Sequence, residues 1–428
     1  MPQRVPRGRA SVKRRVVASN GRRILRQAPF SEAFRVARTV LVSAARTPFC
    51  RLGGDLAGAS AVDLGVVAAE AAIARAGVAP SDVDYSFIGT VVQAGQMHAM
   101  ARQVTTRVGI PVESGSETIN KVCASGMRAI ALADYLIRLD EAQCVLAGGM
   151  ESMTSAPYMA LGARAGYRFG DTHLVDAVLH DGLRDPWTQR VMYDQANEVS
   201  SELGQTREEL DAWALRSHER AVAAMGNGGF AAEIAPVTIR ERKNERVIDQ
   251  DQGPRAESTL ESLAKLGPLT EGGTHTAGNS PGVTDGAAMV VAISEDVAAA
   301  KGLKPLAIVR SSAVASDITR RLACAPSTAA EAALAKAGLS IADVDMLEVN
   351  EAFSSIALNT VNTLGIDQDR VNVQGGAVAL GHPVGASGAR LVGTLVHQLG
   401  RNGGGIGLAT ICSGGGQGDA MVLEVLPA

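Results

Sequence analysis

Two cysteines, a histidine and an asparagine stand where this sequence could do nucleophilic chemistry. Cys123 lies in NKVCASGMRAIALADYLI, residues 120–137, just ahead of a run with helical spacing from Ser125, where Met127, Ile130, Leu132 and Ile137 recur on one apolar face. The first turn of a helix offers unpaired N–H groups and the positive end of the helix dipole. A thiol placed there is expected to ionise more readily, and the thiolate is the nucleophile. Taken alone, the stretch is read more simply as a buried cysteine acting as a small hydrophobe.

Three other stretches carry comparable signals. GGAVALGHPVGASGAR, 375–390, sets His382 between Gly381 and Pro383 in a loop that leads into a helix. ATICSGGGQGDAM, 409–421, puts Cys412 at a strand end before three glycines, whose backbone can approach a ligand closely. VNEAFSSIAL, 349–358, places Asn350, Glu351 and Phe353 where a strand gives way to a helix. Each also has a plain structural reading: a supporting histidine, a space-filling thiol, an N-cap at Asn350, a core ring at Phe353.

An internal repeat bears on which reading holds. AAEAAIARAGVAPSDVDYSFIG, 68–89, and AAEAALAKAGLSIADVDMLEVN, 329–350, match without a gap at about half their positions, with Gly77 opposite Gly338. ASGMR at 124–128 is echoed by ASGAR at 386–390, and CVLAGGMES at 144–152 by the Gly-rich strand end IGLATICSGGG at 406–416. Each first segment reads as a helix ending at Ala-Gly, an acidic turn and a buried strand. Two similar α/β halves of alternating strands and helices are therefore expected, packed together. Related halves bring the Cys123 and His382 loops to the same end of the molecule. A thiol, a base and glycine-lined backbone donors are what nucleophilic catalysis needs in one pocket. Between the halves, roughly 150–270, lies charged material of loop character with no counterpart in the second half, where binding function commonly sits.

Composition narrows the class. The chain has 428 residues, 46% hydrophobic and 20% charged, with a net charge of −3. About two or three domains with ample core are expected. There is no general reason to expect nucleic-acid binding, and no apolar run approaches the roughly 18 residues of a membrane span. Five scattered cysteines, at 50, 123, 144, 324 and 412, suggest a reducing compartment rather than a disulfide framework, and no clustered His/Cys set suggests a metal. Residues 1–37 differ: eight arginines, from Arg4 to Arg26, precede the first acid, Glu32. Such an arm fits an organelle transit peptide, which would place the protein in the mitochondrial matrix, and equally an unstructured bacterial extension or an over-long predicted start. It is expected to be disordered and is set apart from the fold.

INKVCASGMRA, NEAF, GGAVALGHPVGASGAR and CSGGGQG resemble the signature segments of thiolases, in the expected order. SAARTPF (43–49), GGMESMTSAPY (148–158) and TAGNSPGVTDGAA (276–288) are similar to further segments of that family, so the resemblance runs from about residue 40 to the C-terminus. It implies the thiolase fold: two duplicated βαβαβαββ halves in a layered α-β-α-β-α arrangement, 38–298 and 299–428, with a loop domain at about 155–275 in the first. It further implies acyl transfer between CoA thioesters, 2 acetyl-CoA ⇌ acetoacetyl-CoA + CoA, with neither metal nor redox cofactor and CoA as a substrate. By the same resemblance Cys123 is the acylated nucleophile, Cys412 the acid/base at the α-carbon, and His382 activates Cys123 and donates to the thioester oxygen beside a water held by Asn350. Backbone N–H groups of Cys123 and Gly414 form a second oxyanion hole. CoA is expected at Arg255, Ser262, Ala277 and Phe353. A cytoplasmic homodimer or homotetramer is the family expectation.

Some positions depart from the family pattern. MYDQANE, 192–198, LACAP, 322–326, and Pro281 replace more usual residues near the acyl and pantetheine channel. They leave a broader or longer-chain 3-ketoacyl-CoA thiolase as an alternative, although GYRFGDTHLVDAVLHDGL, 166–183, resembles the short-chain group. A non-catalytic acyl-CoA-binding scaffold is the alternative from another class. Cys50, Cys144, Cys324 and His98 lack signature context and read as structural.

Overall fold

Apolar strands alternating with alanine-rich helices build a mixed α/β architecture, seen in a computed structural model that describes residues 37–241 and 244–428. The basic arm, 1–36, lies outside the described residues, and with it the expectation of disorder there. The first half runs β1 (Thr39–Arg46), α1 (Ala61–Ala76), β2 (Tyr85–Gly89), α2 (Met100–Arg107), β3 (Gly115–Ile119), α3 (Ser125–Arg138) and β4 (Cys144–Glu151). An excursion over residues 152–283 carries α4 (Met192–Glu202) and α5 (Arg207–Gly226), after which β5 (Thr284–Ser294) returns to the sheet. The second half runs β6 (Ala307–Ser316), α6 (Ala325–Ala337), β7 (Met346–Val349), α7 (Ser354–Leu364), α8 (Ser387–Arg401), β8 (Gly405–Ser413) and β9 (Gln417–Val425).

The repeated segments fold alike for local reasons. Helices α1 and α6 both end at a glycine in the left-handed region, Gly77 at φ 69° and Gly338 at φ 70°, where a Cβ would be strained. Each is followed by a single 3₁₀ turn closed by an aspartate, Asp82 or Asp343, that accepts from the backbone N–H three residues earlier. The chain then enters the buried strand β2 or β7.

The strands pair in the order β7-β8-β9-β6-β1-β5-β4-β2-β3, with the two-residue strand Cys50–Arg51 added on β5. The halves meet at a narrow seam, Val40 opposite Ile308 and Leu41 opposite Ala307. Helices α3 and α8 pack on each other and on strands of both halves, whereas α1 covers β1 and β5 from outside and α6 covers β6 and β9. Five layers result. Strands β4 and β5 are buried along their whole length, as near-continuous apolar runs under helices on both faces must be.

The echoed ASG triplets mark the crossing of the two central helices. A Cβ on Gly126 would lie 2.9 Å from the backbone N of Ala389, and one on Gly388 2.5 Å from that of Met127. Glycine here is a close-approach requirement, because backbone cannot move aside as a flexible side chain can.

Two features refine the expected pattern. In the second half the place of the third strand is taken by a single bridge to β7, Val371 to Leu347. Asn372, at φ 45°, takes over the ladder with its side chain, accepting from the Val349 N–H at 2.9 Å and donating to the Val349 carbonyl at 2.9 Å. The excursion is also less loop-like than its charge suggested. Helix α5 buries Leu210, Trp213, Ala214 and Ala221, with Asp211 buried among them, while Glu208, Glu209 and Glu219 face out, and Thr206 with Glu209 closes a capping box at its start. No helix among the described residues is long and apolar enough to cross a membrane.

Candidate active site

Cys123 sits in a strained turn between β3 and α3. Val122, one residue earlier, has φ 46°, a conformation that costs a β-branched residue about 1–3 kcal/mol. Hydrogen bonds hold it there: the Val122 N–H donates to Asn120 Oδ1 at 3.1 Å, and Ser125 Oγ donates to the Val122 carbonyl at 2.6 Å. The thiol is 3% exposed. This overturns the expectation of easy ionisation. Burial pushes Cys123 up to about 12, Glu151 adding to the rise, while its own N–H and that of Gly414 pull the other way. The helix terminus cannot outweigh the loss of water around a thiolate. The two N–H groups do, however, converge beside the sulfur.

His382 follows a short helix, Ala377–Leu380, and precedes α8. Its Nδ1 lies 2.5 Å from Ser387 Oγ, and Ser387 Oγ donates to the Pro383 carbonyl at 2.9 Å. Since the hydroxyl's only proton goes to that carbonyl, His382 Nδ1 must carry the proton and Nε2 a lone pair. Asn350 Nδ2 stands 3.4 Å from that Nε2. Burial, with the Arg390 charge adding, pushes His382 down to about 3, so the ring is neutral.

Asn350 directly follows β7 and is fully buried, but it is not an N-cap, since α7 starts at Ser354 behind Phe353. Its Oδ1 has no partner among the described residues, which leaves it free to take a hydrogen bond from a small molecule such as water. Cys412 is 1% exposed near the end of β8. Burial drives it well above the usual thiol range, with Cys123 the next cause, so the two sulfurs are electrostatic neighbours.

Cys123, His382, Cys412, Gly414 and Phe353 all line one cavity of about 250 Å³, whose other walls include Met153, Leu183, Met192 and Leu322. A second cavity of about 90 Å³ is lined by Arg255, Ala277, His218 and Arg51, and Ser280 and Gly282 border both. The structure thus brings the four expected reactive side chains together, with Arg255 and Ala277 on the adjoining space. Ser262 stands apart: it lines neither cavity, and its hydroxyl donates to the Thr259 carbonyl within a capping box. The departing residues Tyr193, Leu322 and Pro281 line the larger cavity.

Several supports were not read from the sequence. Glu351 of NEAF is a fully buried hub: Trp213 Nε1 and Asn372 Nδ2 donate to one oxygen at 2.9 Å each, and Ser217 Oγ at 2.6 Å and the Val378 N–H at 3.0 Å to the other. Glu151 of GGMES accepts from the N–H groups of Val91, Val92 and Gly385, so it ties the His382 loop to the first half. Burial raises it to about 7. His275 is buried and lowered to about 4 by desolvation; it meets Ser355 Oγ at 2.8 Å and the Phe353 ring edge-on at 5.2 Å. Only Ser387 had a usable signal, because it occupies the place of Ser125 in the echoed ASG triplet.

These values fix a pH dependence. A thiol at about 12 beside an imidazole at about 3 means that neither ionises near neutrality in the free protein. Alkylation of Cys123 by iodoacetamide, followed by peptide mapping, is expected to accelerate with pH through the range 7 to about 10 with no plateau. A plateau starting near neutral pH would reveal a standing thiolate–imidazolium pair and contradict the assignment.

A buried thiol beside a neutral, tautomer-locked imidazole, on a duplicated α/β scaffold, is an arrangement that could support nucleophilic chemistry at a cysteine. The chain belongs to the thiolase family: residues 39–296 match the thiolase N-terminal domain and 303–425 the thiolase C-terminal domain. It is 45% identical over 389 residues to an acetyl-CoA acetyltransferase of Escherichia coli (strain K12), covering 90% of this chain and 99% of that one. It is 43% identical over 388 residues to an acetyl-CoA acetyltransferase of Paracoccus denitrificans, again covering 90% and 99%. Among solved structures, the Bacillus anthracis acetyl-CoA acetyltransferase superposes with a TM-score of 0.90 at 38% identity, covering 91% of this chain and 99% of that one. A thiolase from Ascaris suum in complex with coenzyme A superposes with a TM-score of 0.86 at 38% identity, covering 91% and 100%.

Proposed function

We propose that the chain is an acetyl-CoA acetyltransferase, interconverting two acetyl-CoA with acetoacetyl-CoA and CoA through a thioester on Cys123. The observation that carries this reading is the cavity itself, on which two buried thiols, the Nε2 lone pair of a neutral histidine and the Gly414 turn converge. The names of the relatives support the acetyl group, and the Ascaris suum complex supports CoA as the carrier.

In the cleavage direction Cys123 Sγ attacks the 3-keto carbon as its proton passes to His382 Nε2. The resulting oxyanion is held by the N–H groups of Cys123 and Gly414. The C2–C3 bond breaks, leaving an acetyl group on Cys123 and the enolate of acetyl-CoA, whose oxygen accepts from the new Nε2–H and from a water held by Asn350. Cys412 gives its proton to C2, and its raised pKa makes the resulting thiolate a strong base for the next step. CoA then enters and passes its thiol proton to Cys412, and its sulfur takes the acetyl group. The Cys123 thiolate leaves and recovers the proton on His382. Aligned donors in a water-poor site make enolate formation affordable. These steps need no cofactor besides CoA as substrate. Arg255, Ala277 and Phe353 would line the path of the CoA arm; Ser262 would touch it only at the protein surface.

The same reading places the protein in fatty-acid metabolism in the cytoplasm, as a homodimer or homotetramer. The exposed rings of Tyr158, Tyr167 and Phe169 around the hairpin of Tyr158–Met159 and Val175–Asp176 support self-association, which light scattering tests. The activity is tested by CoA-dependent cleavage of acetoacetyl-CoA beside 3-ketohexanoyl- and 3-ketodecanoyl-CoA. Preference for acetoacetyl-CoA is expected; equal or faster cleavage of the longer chains would reassign the enzyme to longer-chain substrates.

A further inference from the structure

We infer that Lys121, Ser413 and Asp419 form a clamp that sets the placement of the two reactive thiols relative to each other, and so act as positioning residues for carbon–carbon bond making and breaking. This rests on the function proposed above.

The Cys123 turn and the β8–β9 hairpin that carries Cys412 come from different halves of the chain, and Lys121 joins them twice. Its carbonyl accepts a 2.5 Å hydrogen bond from Ser413 Oγ, one residue after Cys412. Its ammonium pairs with the Asp419 carboxylate, which sits opposite Ile411, one residue before Cys412. Ser413 is fully buried and Asp419 is 3% exposed, while the Lys121 side chain is 16% exposed, so both links are largely shielded from water. Lys121 is also built into the strained turn: its N–H donates to Ser125 Oγ at 2.8 Å, and that hydroxyl fixes the Val122 carbonyl. The contact is close across the gap, for a Cβ on Gly414 would lie 3.2 Å from Val122 Cγ1. Neither half alone dictates where Cys412 lies relative to Cys123. Lys121 is where the two are tied.

The two parts of the reaction depend on this placement unequally. Exchange of an acetyl group between CoA thiols needs Cys123, His382 and the oxyanion donors, with Cys412 only taking the CoA thiol proton, a task water can also perform. Bond making at the α-carbon also needs Cys412 within reach of a proton on the substrate bound at Cys123. Misplacement by about 1 Å can cost a step on the order of 10²-fold.

The test compares two assays on one protein, acetoacetyl-CoA cleavage and exchange of labelled CoA into acetyl-CoA. Ser413→Ala is expected to lower kcat for cleavage about 10- to 100-fold, with KM for both substrates within about threefold. Exchange should change by less than about threefold, and Ser413→Thr, which keeps the hydroxyl, should restore most of the cleavage. Should Ser413→Ala prove insoluble, the pair Lys121→Met with Asp419→Asn, which removes the ionic link without leaving a lone buried charge, carries the same comparison. Equal loss in both assays, or no loss in either, would overturn the clamp. If the wild-type protein shows neither activity, the proposed function itself fails, and the two failures are told apart.

Discussion

Replacing Cys123 with alanine is expected to abolish both acetoacetyl-CoA cleavage and acetyl exchange, lowering each by about 10⁴-fold or more. The size follows from the chemistry, since with no thiol no thioester forms and neither half of the reaction has a route. The protein should remain folded. The residue is small, and although it belongs to the core cluster that includes Met127 and Val384, among the described residues its thiol meets backbone N–H groups and no side-chain partner that would be left unpaired. Truncation is therefore expected to cost only about 1 kcal/mol, readable in chemical denaturation. CoA affinity, measured calorimetrically, should change little, because the contacts proposed for the CoA arm lie elsewhere. A variant that kept either activity would leave the acyl-CoA-binding scaffold as the better account.

Cys412→Ala separates the two thiols. The second thiol has one task in the proposed reaction, moving a proton at the α-carbon and then at the incoming CoA. Acid–base groups of this kind contribute about 10²- to 10⁴-fold, and cleavage should fall by that amount. Acetyl exchange should persist within about tenfold, because Cys123, His382 and the backbone donors remain and water can take the thiol proton of CoA. Proton exchange at the methyl group of acetyl-CoA, followed by NMR in deuterated water, should disappear with cleavage. Loss of exchange in proportion to cleavage would assign Cys412 a structural role instead.

What the sequence disclosed, and what it hid, divides by range. The duplicated α-turn-β segments were legible because their signals are local: an Ala-Gly helix end, an acidic turn and an apolar run within 22 residues. Cys123 and His382 were legible because the echoed ASG triplets imply equivalent helix starts. Their ionisation was not. A helix-start motif is visible in sequence, but the 3% exposure that pushes the Cys123 thiol up to about 12 is set by strands and loops far away in the chain. The missing strand of the second half was hidden for a similar reason. Its replacement is the single amide of Asn372, which looks in sequence like any turn residue. Glu351 and Glu151 stand in quoted motifs, yet their meaning lies in donors 21 to 234 residues distant, from Asn372 to Gly385. The amphipathic face of α5 was masked by its charge, since the apolar stripe is narrow and includes buried Asp211, Ser217 and His218.

The covalent intermediate is the centre of the account, and mass spectrometry reads it most directly. The protein is mixed with acetyl-CoA in the absence of free CoA, quenched in acid, weighed intact and then digested. The expected result is one acetyl group per chain on the peptide containing Cys123, with CoA released in matching amount and the label removed when CoA is added. An unmodified protein that still cleaves acetoacetyl-CoA, or an acetyl group carried on Cys412 in place of Cys123, would contradict it.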